Sequence, residues 1–387
     1  MKVLIICNKY QTSDRPHLGE LYYLQAHALR AQGLDVGVVA IQQGTGARLQ
    51  RSALSGAWTE RSTTNGVDSL LDYAPRLIKQ LSRSKRLLIW RGVQTVKRFM
   101  REHGKPDIIH AHNALYPGVV AARIKREFDI RYVLTEHFTV YARRELPPKR
   151  YEQARHAINK SSYLLPVSNP SGAVLEDLFG DAVHPWKSIG NMVDEDFFTL
   201  TPPPRRQEPV FLNVGRMQPL KGQSDLLRAF AAYLEAGHRG TLRIGGDGPL
   251  RTSLMDLSRD LGVTQSVSFL GMLSREQVRD ELRNADAYIL SSHKETFGIP
   301  VIEALASGRP VLATRSNGPE FIMGPDDGNL VEPGDPDALK EGLVALSEAL
   351  DNFDSAAIRA RCTARFGKQA LAQTLKSIYE EVLSRRQ

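Results

Sequence analysis

Short apolar runs recur along this chain, each ending in a polar turn and followed by a stretch whose apolar residues fall three and four apart. A strand period giving way repeatedly to a helix period predicts βαβ units and parallel sheets. The first run, at 3–7, leads to a helix at about 18–32, with Leu21, Leu24, Ala28 and Leu29 on one face and Gly33 as its stop. A strand at 36–41 follows. Residues 42–66 are weakly patterned and rich in Gly, Ser, Thr and Arg, which reads as a loop. From 68 to 103, Leu77, Leu81, Leu88, Ile89, Val93, Val96 and Met100 predict one amphipathic helix, interrupted at Gly92. Strands at 107–110, 132–135 and 162–167 complete the first half. The run Pro202-Pro203-Pro204 fits neither a helix interior nor a central strand and marks a boundary. Beyond it the rhythm restarts, with strands at 210–214, 241–244, 267–270, 287–290, 311–314 and 328–331 and helices between them. The expected architecture is α/β: two Rossmann-like, doubly wound domains, 1–190 and 210–365, joined by a linker over 191–209 and facing each other across a cleft.

At 387 residues the chain is long enough for two sizeable cores. Its 42% hydrophobic and 24% charged residues are those of a globular protein. Cys7 and Cys362, far apart, build neither a disulfide framework nor a zinc site, so a reducing cytoplasm is expected. The first apolar run is too short for a secretory leader, and no run approaches the roughly 18–20 apolar residues of a spanning helix.

The net charge of +8 changes the picture more, because it is concentrated. Between Arg76 and Lys105 stand ten basic residues against Glu102 alone. Such a helix suits an anionic membrane surface, at ~1 kcal/mol per engaged cation, and a solvated basic face is the plainer alternative. Nucleic acid is not expected, since neither aromatic interleaving nor a reader motif accompanies the charge.

The stretch from Ser291 to Gly308 carries the first candidate chemistry. Gly298 and Pro300 flag a helix start after a buried strand, with Glu295 on the loop at its mouth and Glu303 one to two turns inside. A helix start favours a phosphate, so two carboxylates beside it should face something else. Sugar and ribose hydroxyls are the natural partners. Arg216 and Lys221 lie between a strand end and a helix start, where two fixed cations and backbone amides would hold a departing diphosphate. His112 is the candidate for the reacting centre, with His110 second; a neutral imidazole at a strand end can bond a sugar hydroxyl. The His-x-His pair is expected on opposite faces of its strand and has no third ligand at metal spacing, so no metal is assigned. Asp194-Glu195-Asp196 reads as a helix cap in the linker, and the turn from Gly245 to Pro249 lacks the dinucleotide glycine order.

Taken together, Glu295-x7-Glu303 enclosing Phe297-Gly298, and the later Gly308-x-Pro310, resemble the signature of the retaining glycosyltransferases of family 4, with the GT-B fold. The turn from Gly215 to Gly222 resembles that family's phosphate site, with the Arg216–Lys221 spacing slightly compressed. The run Gly190-Asn191-Met192-Val193-Asp194 resembles its linker motif. The resemblance implies that Glu295 and the backbone of Phe297 and Gly298 contact the donor sugar and that Glu303 binds the ribose. It further places Gly19 against the donor phosphate and supports His112 beside the sugar. Thr296 stands where the family most often has Gly, and Gly19 is single where two are common. The last segment, 366–387, is expected to cross back to the first domain.

The implied activity is metal-independent transfer of a sugar, with retention, from a nucleotide-sugar donor (a UDP-sugar favoured) to a saccharide or lipid-linked acceptor. No cofactor is implied. The implied location is the cytoplasm, or peripheral on the inner face of its membrane. A nucleotide-sugar epimerase of similar fold and a non-catalytic nucleotide-sugar-binding partner at the membrane are the alternatives.

Overall fold

The computed structural model describes residues 1–11, 18–43, 59–74, 82–137, 140–184, 186–202 and 206–385. The chain forms two units, Met1–Met192 with Lys368–Gln387, and Val193–Gly367.

In the first unit, strands β1 (Lys2–Cys7), β2 (Asp35–Gln43), β3 (Thr59–Thr64), β4 (Val67–Ala74), β5 (Ile108–His112), β6 (Tyr132–Glu136) and β7 (Tyr163–Pro166) make one sheet in the order β3-β4-β2-β1-β5-β6-β7. All pairs are parallel except β3 with β4. A parallel sheet covered by helices on both faces needs apolar residues at consecutive positions. Hence Val3 to Cys7, Ile108 to Ala111 and Tyr132 to Leu134 are all buried. The helices are α1 (Glu20–Ala31), α2 (Ser82–His103), α3 (Val119–Phe128), α4 (Val140–Arg143), α5 (Pro148–Lys160) and α6 (Asn169–Phe179), with the C-terminal helix Lys368–Ser384 packed on α1. Ser168 caps α6 by accepting from the Ser171 amide.

Three expectations are corrected here. Residues 68–74 are not the start of a helix but strand β4, which pairs with β2 along its length. Thr59–Thr64, inside the presumed loop, is an antiparallel edge strand whose polar residues face solvent. Residues 44–58 and 75–81, including Arg76, Lys79, Leu77 and Leu81, lie outside the described residues. Helix α2 also runs straight through Gly92. A Cβ there would lie 2.4 Å from Ile41 Cδ1 and 2.9 Å from Val120 Cγ2, so the glycine lets the helix sit down on its neighbours.

The second unit holds β8 (Val210–Val214), β9 (Thr241–Gly245), β10 (Val267–Gly271), β11 (Ala287–Leu290), β12 (Val311–Thr314) and β13 (Gly328–Val331), all parallel, in the order β10-β9-β8-β11-β12-β13. Its helices are α7 (Gln223–Glu235), α8 (Arg251–Asp260), α9 (Arg275–Asn284), α10 (Ile299–Ala306), α11 (Gly318–Ile322), α12 (Pro336–Glu348) and α13 (Ser355–Phe366). Residues from Val193 onward, inside the stretch read as a linker, are tied to this unit. The Val193 amide donates to the Phe366 carbonyl at 2.9 Å, and Arg275 Nη2 lies 3.2 Å from Asp194 Oδ2.

Both sheets are doubly wound, with the switch from one half to the other between β1 and β5 in the first and between β8 and β11 in the second. Ligands in such sheets sit at the carboxyl ends of the strands flanking that switch. Gly19 follows β1 and His112 ends β5. Arg216 and Lys221 follow β8, and Glu295 follows β11. The topology thus brings the sequence candidates to the two switch points.

Candidate active site

In the second unit the loops after β8 and β11 are stapled together. The His293 amide donates to the Leu220 carbonyl (2.9 Å), and Ser291 Oγ donates to the Lys221 carbonyl (2.9 Å). Gly222 makes this possible: its φ is +61°, and a Cβ would stand 2.0 Å from the Ser291 carbonyl oxygen. Seated this way, Lys221 Nζ lies 2.5 Å from Glu295 Oε2, with the two side chains 24% and 14% exposed. The Glu295 backbone is pinned from the far side, its amide donating to the Ser316 carbonyl (2.8 Å) and its carbonyl accepting from the Gly318 amide (3.0 Å).

Glu303 is half-buried on α10, and it and Glu295 both push the Tyr288 phenol up, beyond the larger effect of burial. Tyr288 Oη donates to the Val214 carbonyl (3.0 Å), which puts the phenol that feels both carboxylates at the end of β8. Arg216 is exposed and lines a cavity of about 610 Å³ with Val214, Gly246, Asp247, Gly248 and Met272. Arg216 and Lys221 therefore do different things here: one faces the cavity, the other holds a carboxylate. The Phe297 ring is 2% exposed and packs edge-on to Phe366 (centroids 5.5 Å apart), while the Gly298 carbonyl accepts from the Val301 amide at 2.9 Å.

In the first unit, Gly19 has φ +73°, and a Cβ would lie 2.6 Å from the Lys9 carbonyl oxygen. That close approach lets α1 begin beside the end of β1. His112 is fully buried at the end of β5, its Nδ1 3.0 Å from His137 Nε2 and its Nε2 without a hydrogen-bond partner. Tyr22 leans on the pair, 4.8 Å from the His112 ring and 5.8 Å from that of His137. The loop that follows is held in an unusual conformation, with Asn113 at φ +78° and Tyr116 at φ +61°. Such outliers persist where the surroundings over-determine them. Here Glu136 braces the turn, its carboxylate accepting from the Ala114 and His137 amides at 2.8 Å each.

His110 and His112 do not point to opposite faces. Residues two apart on a strand share a face, and the two rings stack with centroids 4.3 Å apart. His110 is committed to protein partners: Gln25 Nε2 at 2.9 Å, Tyr379 Oη at 2.6 Å and Thr135 Oγ1 at 2.7 Å. Burial, then the neighbouring His137, pushes its imidazole down to about 3. Burial pushes His137 down to about 4, with Asn191 opposing it, and His112 is held well below the usual range by burial and both neighbours. All three are neutral at pH 7, able to exchange hydrogen bonds but not to carry charge. Sequence reasoning gave His137 no role; its one signal was its position just past a strand end.

The family described as Glycosyltransferase Family 4 matches residues 21–197, and Glycosyl transferases group 1 matches residues 199–358. Glycogen synthase of Mycobacterium tuberculosis H37Rv is 28% identical over 290 residues, 71% of this chain and 69% of that protein. N-acetyl-alpha-D-glucosaminyl L-malate synthase of Bacillus anthracis is 27% identical over 72% of this chain and 75% of its own length. Among solved structures, sucrose-phosphate synthase from Thermosynechococcus elongatus superposes with a TM-score of 0.77 at 19% identity, covering 99% of both chains. Anabaena Alr3699/HepE in complex with UDP gives 0.74 at 20% identity, covering 98% of this chain and all of that one. At such identities the structural likeness establishes the GT-B fold.

Proposed function

The chain belongs to the glycosyltransferases of group 1 and family 4, whose matches together run from 21 to 358, and from that premise we propose that it transfers a sugar from a nucleotide-sugar donor, with retention, to a saccharide or lipid-linked acceptor. A UDP-sugar is the favoured donor. The observation that carries this reading is the cluster at the β8/β11 switch point: Lys221 against Glu295, Glu303 nearby, and Arg216 on an adjoining cavity. A nucleoside diphosphate gains negative charge as the sugar leaves it. Lys221, Arg216 and the amides between β8 and α7 would meet that charge with fixed donors, favouring the transition state over the ground state. The reading thus assigns charge stabilisation to side chains and takes no metal or cofactor. Glu295 and the Phe297–Gly298 backbone take the sugar hydroxyls, Glu303 the ribose, and Gly19 admits the donor phosphate beside α1. In the first unit, His112 Nε2 bonds a hydroxyl of the reacting sugars as a neutral imidazole.

The acceptor reading leans on α2. Its Trp90 is 54% exposed and Leu87 40% exposed, beside an exposed Arg86. An aromatic and an aliphatic side chain next to cations suit the headgroup layer of an anionic leaflet. No helix among the described residues is long and apolar enough to cross a membrane, so this reading is peripheral docking at the cytoplasmic face.

Incubation with a panel of nucleotide sugars tests the proposal. Release of nucleoside diphosphate with free sugar, or transfer to an added saccharide with the anomeric configuration kept, is the expected result. Interconversion of the sugars without release would favour the epimerase. A nucleotide that binds away from Arg216 and Lys221 would overturn the site.

A further inference from the structure

One imidazole in the first unit joins the C-terminal helix to the His112–His137 pair. An amide NH₂ can only donate, so Gln25 Nε2, 2.9 Å from His110 Nδ1, makes that nitrogen an acceptor. The ring proton therefore sits on Nε2 and is donated to Thr135 Oγ1 at 2.7 Å. Tyr379 Oη, 2.6 Å from the same Nδ1, is a second donor sharing that nitrogen's one lone pair with Gln25, and makes the shorter of the two contacts. Three elements, α1, β6 and the C-terminal helix, thus fix both the tautomer and the plane of a ring with no exposed surface. That ring is the floor on which His112 lies, stacked at 24° between planes, while His112 reaches sideways to His137. His110 stays neutral at any physiological pH, so it moves no proton. What it can transmit is position.

We propose that Tyr379 is a positioning residue for the His112–His137 pair, acting from the C-terminal helix through His110. The inference rests on the reading that His112 meets the reacting sugars, and it explains why a helix distant in sequence from every motif residue carries a buried phenol directed at this ring. Rotation of the His110 plane would tilt His112 and turn its partnerless Nε2. In a site that must hold reacting groups to within a fraction of an ångström, that is a loss in turnover rather than in donor binding.

Tyr379→Phe removes one hydroxyl and keeps the ring. We expect kcat to fall about fivefold with donor KM unchanged, the scale of one lost hydrogen bond, and the ¹⁵N shifts of the His112 and His137 rings to move. Arg131→Ala is the comparison: Arg131 Nη1 donates to the Val382 carbonyl (2.6 Å), holding the same helix without touching His110. It should lower the melting temperature and leave both kcat and the ring shifts in place. A Tyr379→Phe protein that melts earlier but keeps wild-type ring shifts, or keeps wild-type kcat, overturns the proposal. Should that variant not fold, Gln25→Leu reads the same network from α1, and unmoved His112 and His137 shifts overturn it equally. If no nucleotide sugar is turned over at all, the functional reading fails on its own, while the ring shifts still decide whether Tyr379 reaches His112.

Discussion

Lys221 Nζ and Glu295 Oε2 lie 2.5 Å apart although 74 residues separate them in the chain. The hydrogen bonds joining the loops after β8 and β11, one from the His293 amide and one from the Ser291 hydroxyl, bring them together. In the proposed reaction a diphosphate draws on the cation while a sugar draws on the carboxylate, so each ligand group loosens the pair for the other. Glu295→Gln and Lys221→Ala should each lower kcat by about 10²-fold or more, the scale of one lost oriented charge at the reacting centre. Progress curves of nucleoside diphosphate release measure it, and wild-type turnover in either variant removes these residues from the site.

Gly222→Ala should be far more disruptive than its size suggests. The new Cβ would meet the Ser291 carbonyl oxygen at 2.0 Å in a backbone region hostile to side chains. The loop must move, at about 2 kcal/mol or more of stability, and Lys221 moves with it. Urea denaturation checks the first effect. A weaker affinity for UDP by calorimetry checks the second.

Acid should destabilise the first unit through its histidines. Their folded imidazoles titrate below the unfolded value of 6.5, so between that value and about 4 the unfolded chain binds more protons. Stability is therefore complete above pH 6.5 and is lost as pH falls. For each fully neutral histidine the loss between pH 7 and pH 5 is about 2 kcal/mol. Denaturant midpoints at the two pH values test the sum, and His110→Asn should flatten the slope. A pH-independent midpoint would contradict the burial described.

Trp90→Ser should weaken binding to anionic vesicles without changing turnover of a soluble acceptor. Flotation with phosphatidylserine vesicles at two salt concentrations is the measurement, together with a blue shift of Trp fluorescence in the parent protein. Binding indifferent to both Trp90 and salt would end the membrane reading.

The strands were legible because buried parallel strands write themselves as unbroken apolar runs, as at Val3 to Cys7 and Val311 to Ala313. Strand β3 was not, since Thr-Glu-Arg-Ser-Thr-Thr faces water and buries little. In β4, the polar residues among Leu70, Leu71 and Tyr73 blurred the period, and it was read into the following helix. The carboxylates and cations of the second unit could be picked out by motif order, but nothing in a single sequence says that Lys221 grips Glu295. Nor does it show that His137, 25 residues past His112, shares its hydrogen bond. The count of ten basic residues from Arg76 to Lys105, seven of them within α2, overstated the free charge. Arg91 is bidentate to buried Asp72, Lys97 meets Glu127, and Lys105 donates to the Phe128 carbonyl. Of these partners, Asp72, Glu127 and Phe128 all fall outside the basic window.

The membership of Lys368–Gln387 in the first unit has a consequence for biogenesis. A ribosome delivers Val193–Gly367 as one uninterrupted piece, free to fold as soon as it emerges, whereas the unit begun first must wait for the residues from Lys368 onward. Until then α1 lacks the helix that covers it and His110 lacks its tyrosine. A nascent or prematurely terminated chain would therefore expose this face to chaperones and proteases while its later half is already compact. Loss of Lys368–Gln387 should cost more than its length implies, and it should be felt in the unit that was made first.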